Sequence, residues 1–122
     1  MASILLVDDE QETLEAIQPF LEAQGFQVWA TATGEGAVAV IQQHHPTAVL
    51  LDVNLRGSRL SGLDVLKVSK AQSPATKVYL VTGYDADQYR AEATSFGVDG
   101  FFEKPLALGT LADFLKNLKE NS

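Results

Sequence analysis

Five short runs rich in Val, Ile and Leu alternate along this chain with longer stretches of helical period, and that alternation narrows the fold more than any other feature. Ser3 to Val7, Gln27 to Thr31, Ala48 to Leu51, Lys77 to Val81 and Gly100 to Phe102 read as strands. Runs such as Ile4-Leu5-Leu6-Val7 and Ala48-Val49-Leu50-Leu51 are apolar at consecutive positions, the pattern of a strand covered by helices on both faces and hence of a parallel sheet. Between them, Leu14, Ile17 and Leu21, then Ala37, Val40 and Ile41, then Ala86, Tyr89, Ala93 and Phe96, and finally Leu111, Phe114, Leu115 and Leu118 recur every three or four residues. Gly62 to Ser73, with Leu63 and Leu66, makes a weaker third helix. Gly25 and Gly97 stand where helices end, and Asp85 with Gln88 resembles a capping box. Pro19 interrupts the first helix and predicts a kink. The expected architecture is an α/β domain of five (βα) units, helices on both faces of one sheet.

At 122 residues the chain has room for one domain, taken as 1–122. With 46% hydrophobic residues it can build a true core. The net charge of −7, with no run of Lys or Arg, removes the electrostatic footprint of direct nucleic acid or anionic membrane binding. The absence of cysteine excludes disulfides, thiolate zinc sites and thiol catalysis. The start, MASILLVDDE, has no basic n-region and its apolar stretch stops at Val7, so neither a signal peptide nor a membrane span is expected, and the chain is expected to be cytoplasmic.

Ligands of an open α/β sheet bind beyond the carboxyl ends of the strands. There the sequence puts Asp8 and Asp9 after the first strand, Asp52 at the third, Thr82 and Gly83 at the fourth, and Lys104 with Pro105 at the fifth. Three carboxylates on one rim repel one another, and a hard divalent cation with oxygen ligands relieves that; Mg²⁺ is the natural candidate. A lysine opposite them keeps one carboxylate ionised as a nucleophile, and a threonine hydroxyl can donate to an oxyanion. The small Gly83 leaves room for an in-line approach, so the set suits phosphoryl transfer onto an aspartate.

VDDE at 7 to 10, LLDVN at 50 to 54, VTGY at 81 to 84 and FFEKP at 101 to 105, in this order over essentially the whole chain, resemble the receiver domains of two-component response regulators. The resemblance implies a doubly wound, flavodoxin-like fold with a five-stranded parallel sheet of order 2-1-3-4-5. It implies that Asp52 accepts a phosphoryl group from a histidine kinase or phosphotransfer protein. Asp8, Asp9, Asp52 and the backbone carbonyl of Asn54 would hold Mg²⁺, and Lys104 and Thr82 would contact the phosphoryl group. Phe101 falls on the family's switch aromatic. The surface around the fourth helix, fifth strand and fifth helix is the implied partner or homodimer face. A cis peptide is implied before Pro105.

The chain departs from the commonest receiver pattern at three places. Arg56 replaces a frequent proline, the loop Leu55 to Gly62 is about two residues longer than usual, and Phe101 stands where Tyr is frequent. Without a hydroxyl, Phe101 favours burial. Taken singly, Asp8 or Asp9 reads equally well as a helix cap and Thr82 as a strand-end residue; most lysines are solvated, but the place of Lys104 between a strand and a proline speaks against that for it. His44 and His45 close the second helix, where carbonyls are the expected partners, and Trp29 reads as packing. Three other functions compete. A metal-dependent phosphatase of the haloacid dehalogenase type would want an acid where Asn54 stands. A docking module indifferent to phosphate would not need the acidic set, and a flavodoxin-like cofactor carrier would need a hydroxyl-rich loop after the first strand.

Overall fold

The computed structural model describes residues 2–83, 86–104 and 106–120. Strands and helices alternate: β1 (Ser3–Val7), α1 (Gln11–Ala23), β2 (Gln27–Thr31), α2 (Gly34–His44), β3 (Ala48–Asp52), α3 (Gly62–Gln72), β4 (Lys77–Thr82), α4 (Ala86–Ser95), β5 (Gly100–Glu103) and α5 (Leu108–Glu120). The strands form one sheet in the order β2-β1-β3-β4-β5, and every neighbouring pair is parallel. Three strands run one residue beyond their apolar stretch. The ladder continues through Asp52 opposite Val81 and through Thr82 opposite Glu103, so backbone pairing outlasts the hydrophobic signal.

The consecutive apolar residues divide between the two faces. Leu5, Val7, Val49, Leu51, Val78 and Leu80 pack with residues of α2, α3 and α4, whereas Ile4, Leu6, Leu50 and Val81 pack with residues of α1 and α5. β3 is buried at all five positions, as expected of a central strand covered on both sides. α1 and α4 end as the glycines predicted. Phe26 N–H donates to the Leu21 carbonyl and Gly25 N–H to that of Glu22, with Gly25 at φ 94°; Val98, Gly97, Ala93 and Thr94 repeat the pattern with Gly97 at φ 86°. Helix α1 runs through Pro19, which is exposed, so solvent can serve the carbonyl that the missing N–H leaves free.

In α3, Leu66 is buried and Leu63 packs against the same core, as their spacing predicted. The buried side of the helix is Gly62, Val65, Leu66 and Ser69, with Leu63 half-buried. A capping box starts the helix: the Ser61 hydroxyl accepts from Asp64 N–H, and the Asp64 carboxylate accepts from Ser61 N–H. The capping box read at Asp85, together with Tyr84 and Pro105, lies outside the described residues. Ser69 is fully buried and its hydroxyl has no hydrogen-bond partner among the described residues. Ser69→Ala keeps the volume and removes an unsatisfied group. It is expected to stabilise the fold by about 1 kcal/mol, read as a higher urea midpoint with an unchanged slope.

No helix of the described residues is long and apolar enough to cross a membrane. His44 stacks on Trp29 with ring centroids 4.6 Å apart, and His45 Nδ1 lies 3.0 Å from the Ser73 hydroxyl.

Candidate phosphoacceptor site

The carboxyl ends of β1, β3, β4 and β5 bring the separated residues to one rim. Asp8, immediately after β1, is held by its N–H donating to the Thr31 carbonyl of β2, and its Oδ1 accepts from Glu10 N–H at 2.9 Å. The residue capping α1 is Glu10, whose side chain makes no capping bond, so neither Asp8 nor Asp9 serves as the helix cap. Asp9 Oδ2 instead accepts from Arg56 N–H at 3.0 Å, joining the β1–α1 loop to the loop after β3.

Asp52 is the last residue of β3 and only 4% exposed. Its Oδ1 accepts from Asn54 N–H at 3.0 Å and its Oδ2 from Lys104 Nζ at 2.8 Å. Lys104 is aimed by its own backbone, whose N–H donates to the Thr82 carbonyl at 2.8 Å and ties the end of β5 to β4. The same ammonium stands 3.5 Å from Asp8 Oδ2 and 3.5 Å from Glu10 Oε1. Burial alone would lower the Lys104 pKa. The Asp52 hydrogen bond and the charges of Asp52, Asp8 and Glu10 outweigh it and raise the pKa. For Asp8 the balance goes the other way from a normal ion pair. Burial is the largest influence and raises its pKa, Asp52 adds repulsion, and the Glu10 amide and Lys104 oppose them.

Thr82 ends β4, is 3% exposed, and its Oγ1 has no hydrogen-bond partner among the described residues. A buried hydroxyl in this condition is costly unless something comes to use it. Beside it, a Cβ placed on Gly83 would meet nothing within 4 Å, so the space next to the threonine is open. An open cleft of about 1070 Å³ is lined by Asp8, Glu10, Gly83 and Lys104 and continues past Arg90 and Leu106. Phe101 on β5 is half-buried against the α2–α3–α4 side of the core, and the Arg90 guanidinium lies over its ring at 4.5 Å from the centroid.

The donor set fits a hard divalent cation. Carboxylate oxygens of Asp8, Asp9 and Glu10 lie within 4.8 Å of one another, and Asp52 shares the Lys104 ammonium with Asp8 and Glu10. Three of these carboxylates, Asp8, Glu10 and Asp52, share one lysine, all the donors are oxygen, and burial with repulsion from Asp52 raises the Asp8 pKa. Sequence reasoning passed over Glu10, although it adjoins the Asp pair, and over the Arg56 amide, which has no side-chain signal.

A doubly wound parallel sheet with an acidic rim, a strand-end lysine and a threonine hydroxyl without a partner among the described residues defines the class, an α/β domain with a polar pocket at the carboxyl ends of its strands. The sequence matches the response regulator receiver domain over residues 4–116, and the chain belongs to that family. It is a receiver domain of two-component signalling. Among solved structures it resembles the receiver domain of NtrX from Brucella abortus, with 31% identity and a TM-score of 0.86 over 98% of this chain and 99% of that one. A CheY-like receiver domain protein from Methanospirillum hungatei has 27% identity and a TM-score of 0.90, over 98% and 95% of the two chains. Nitrogen assimilation regulatory protein NtrX of Azorhizobium caulinodans is 33% identical over 102 residues, 84% of this chain and 22% of the relative. A cyclic di-GMP phosphodiesterase of Thermotoga maritima is 34% identical over 109 residues, 89% of this chain and 28% of the relative. The chain thus spans about a quarter of the length of these two relatives.

Proposed function

We propose that residues 1–122 act as one receiver unit in which Asp52 accepts a phosphoryl group from a histidine kinase or histidine-containing phosphotransfer protein. The observation that carries this reading is the pairing of Lys104 Nζ with Asp52 Oδ2 at 2.8 Å beside a buried Thr82 hydroxyl that has no partner among the described residues.

Lys104 holds Asp52 at Oδ2, 2.8 Å away, and the Asp52 carboxylate supplies the lone pair that attacks phosphorus as the bond to the donor breaks. Asp8, Asp9, Asp52 and the Asn54 carbonyl would hold Mg²⁺, with Glu10 close by. The ion, when bound, neutralises charge on the transferring phosphoryl oxygens. Thr82 Oγ1 and Lys104 Nζ then donate to those oxygens. The chain catalyses only its own phosphorylation and dephosphorylation. Asn54, standing where a haloacid dehalogenase-type phosphatase would carry an acid, argues against turnover of free phosphate esters.

Phosphorylation adds charge and acceptors beside Thr82 and Lys104, and favours the loop arrangement that donates to them best. With Phe101 on β5, the change is passed to the α4–β5–α5 face, which meets the output partner or a second copy of the chain. Acidic, cysteine-free composition suits work in the cytoplasm beside a kinase. Incubation with Mg²⁺ and a small acyl phosphate tests the reading by intact mass. One added phosphoryl group is expected on the wild type and none on Asp52→Asn. No adduct on the wild type, or an unchanged adduct on the variant, defeats it.

A further inference from the structure

The loop that follows Asp52 is tied to the start of α2, an element that supplies no group to the acidic pocket. Thr33 caps α2 by accepting from Gly36 N–H, and the N–H of buried Gly34 donates to the Ser58 hydroxyl at 2.8 Å. The next residue, Glu35, accepts at Oε1 from Leu60 N–H at 2.9 Å and from the Ser58 hydroxyl at 2.9 Å. That hydroxyl also lies 2.7 Å from the Leu60 carbonyl, so its single proton serves either acceptor. A Cβ on Gly34 would stand 2.5 Å from the Leu60 carbonyl oxygen, so the close approach requires glycine there. These bonds to Leu60 and Ser58 also lower the Glu35 pKa, the Leu60 amide most.

Nearer Asp52, the same loop carries Asn54, whose N–H binds Asp52, and Arg56, whose N–H binds Asp9. Its position at Leu60 is therefore set from α2 while its position at Asn54 shapes the pocket. Gly57, at φ 73°, bends the chain between the two anchorages. The loop from Leu55 to Ser61 has no regular secondary structure, so its conformations must be fixed by such contacts.

We propose that Glu35 and Ser58 are positioning residues of the acceptor site: they clamp the β3–α3 loop so that the Asn54 carbonyl and, through the Arg56 amide, the Asp9 carboxylate are in place for cation binding. The inference rests on the phosphoacceptor reading given above. Groups that orient metal ligands from behind commonly change affinity by about 10- to 100-fold when removed. Loss of the clamp raises the Mg²⁺ concentration needed for phosphorylation and leaves the rate at saturating Mg²⁺ close to that of the wild type, because Asp52, Lys104 and Thr82 are untouched.

The test compares wild type with Glu35→Ala, Ser58→Ala, Glu35→Gln and a control, Glu22→Ala, on the exposed far end of α1. Mg²⁺ titrations are followed on the backbone amide resonances of Asp8 to Glu10, hydrogen exchange is measured at Leu60 and Arg56, and acyl phosphate uptake is measured against Mg²⁺. Expected for Glu35→Ala and Ser58→Ala are faster exchange at both amides and a half-saturating Mg²⁺ raised about tenfold. Glu35→Gln, which keeps an accepting oxygen, restores most of both, and Glu22→Ala matches wild type. Mg²⁺ affinity unchanged in Glu35→Ala and Ser58→Ala, while wild type binds Mg²⁺ and takes up phosphate, overturns the clamp alone. A wild type that binds no Mg²⁺ overturns the phosphoacceptor reading, and the clamp with it.

Discussion

Asp8→Asn is expected to make the metal-free protein more stable at neutral pH and, in the same molecule, to weaken Mg²⁺ binding by tenfold or more, about 1.4 kcal/mol at the least. The two effects have one origin. Burial, with repulsion from Asp52 added, raises the Asp8 pKa above the ordinary 3.8. A carboxyl group whose pKa is raised on folding binds its proton more tightly in the native state than in the unfolded chain. Its favourable share is present below pH 3.8 and is lost as pH rises through the raised value, so at pH 7 the ionised form burdens the fold. Asparagine mimics the protonated side chain and keeps an oxygen to accept Glu10 N–H, and so removes the burden. A saturating cation reverses the ranking. At 100 times its Kd a ligand adds about 2.7 kcal/mol of stability, available to the wild type and largely denied to the variant. Thermal unfolding of both proteins with and without Mg²⁺ measures the crossing. A variant less stable than wild type without the ion would refute the account from burial and repulsion.

Gly62→Ala is expected to destabilise the fold by about 3 kcal/mol and to impair phosphoryl acceptance in the protein that still folds. A Cβ at Gly62 would stand 2.5 Å from the Asp52 carbonyl oxygen and 2.8 Å from Val53 Cα. Both are backbone atoms, so no flexible side chain can yield. Either α3 retreats, breaking the hydrogen bond from Gly62 N–H to the Val53 carbonyl, or the end of β3 moves and takes the Asp52 side chain with it. Gly109→Ala is the control. Its Cβ would meet nothing within 4 Å, and in α5 the substitution is expected to be neutral or to gain up to about 1 kcal/mol. Denaturant midpoints of the two variants, with the mass assay on the folded fraction, separate the outcomes. Wild-type stability in Gly62→Ala would refute the contact.

The elements were legible because each has a local cause. β1 and β3 read as strands from unbroken apolar runs, and α1 and α4 end at glycines whose positive φ no other residue adopts as cheaply. The acidic pair, Asp52, Thr82 and Lys104 were legible for a related reason: a residue at the carboxyl end of a parallel strand has its place set by the strand itself. The buried side of α3 was legible in part: Leu63 and Leu66 do lie against the core, whereas the burial of Val65 and Ser69 had not been read. The close approach of Gly62 to Asp52 and Val53 sets how near the helix lies to the end of β3.

By itself, the sequence determined the alternation of elements, the sheet they build and which side chains stand at its rim, because strand period, helix period and turn chemistry act over a few residues. Only the tertiary structure decided what those side chains touch. Glu10 reaches Lys104 across 94 residues, the Arg56 amide reaches Asp9 across 47, and Glu35 reaches Leu60 across 25. None of these partners has a periodic signature, and two of the three donors are backbone amides, which every residue but proline carries. Their selection is a matter of where the folded sheet and helices bring the loops.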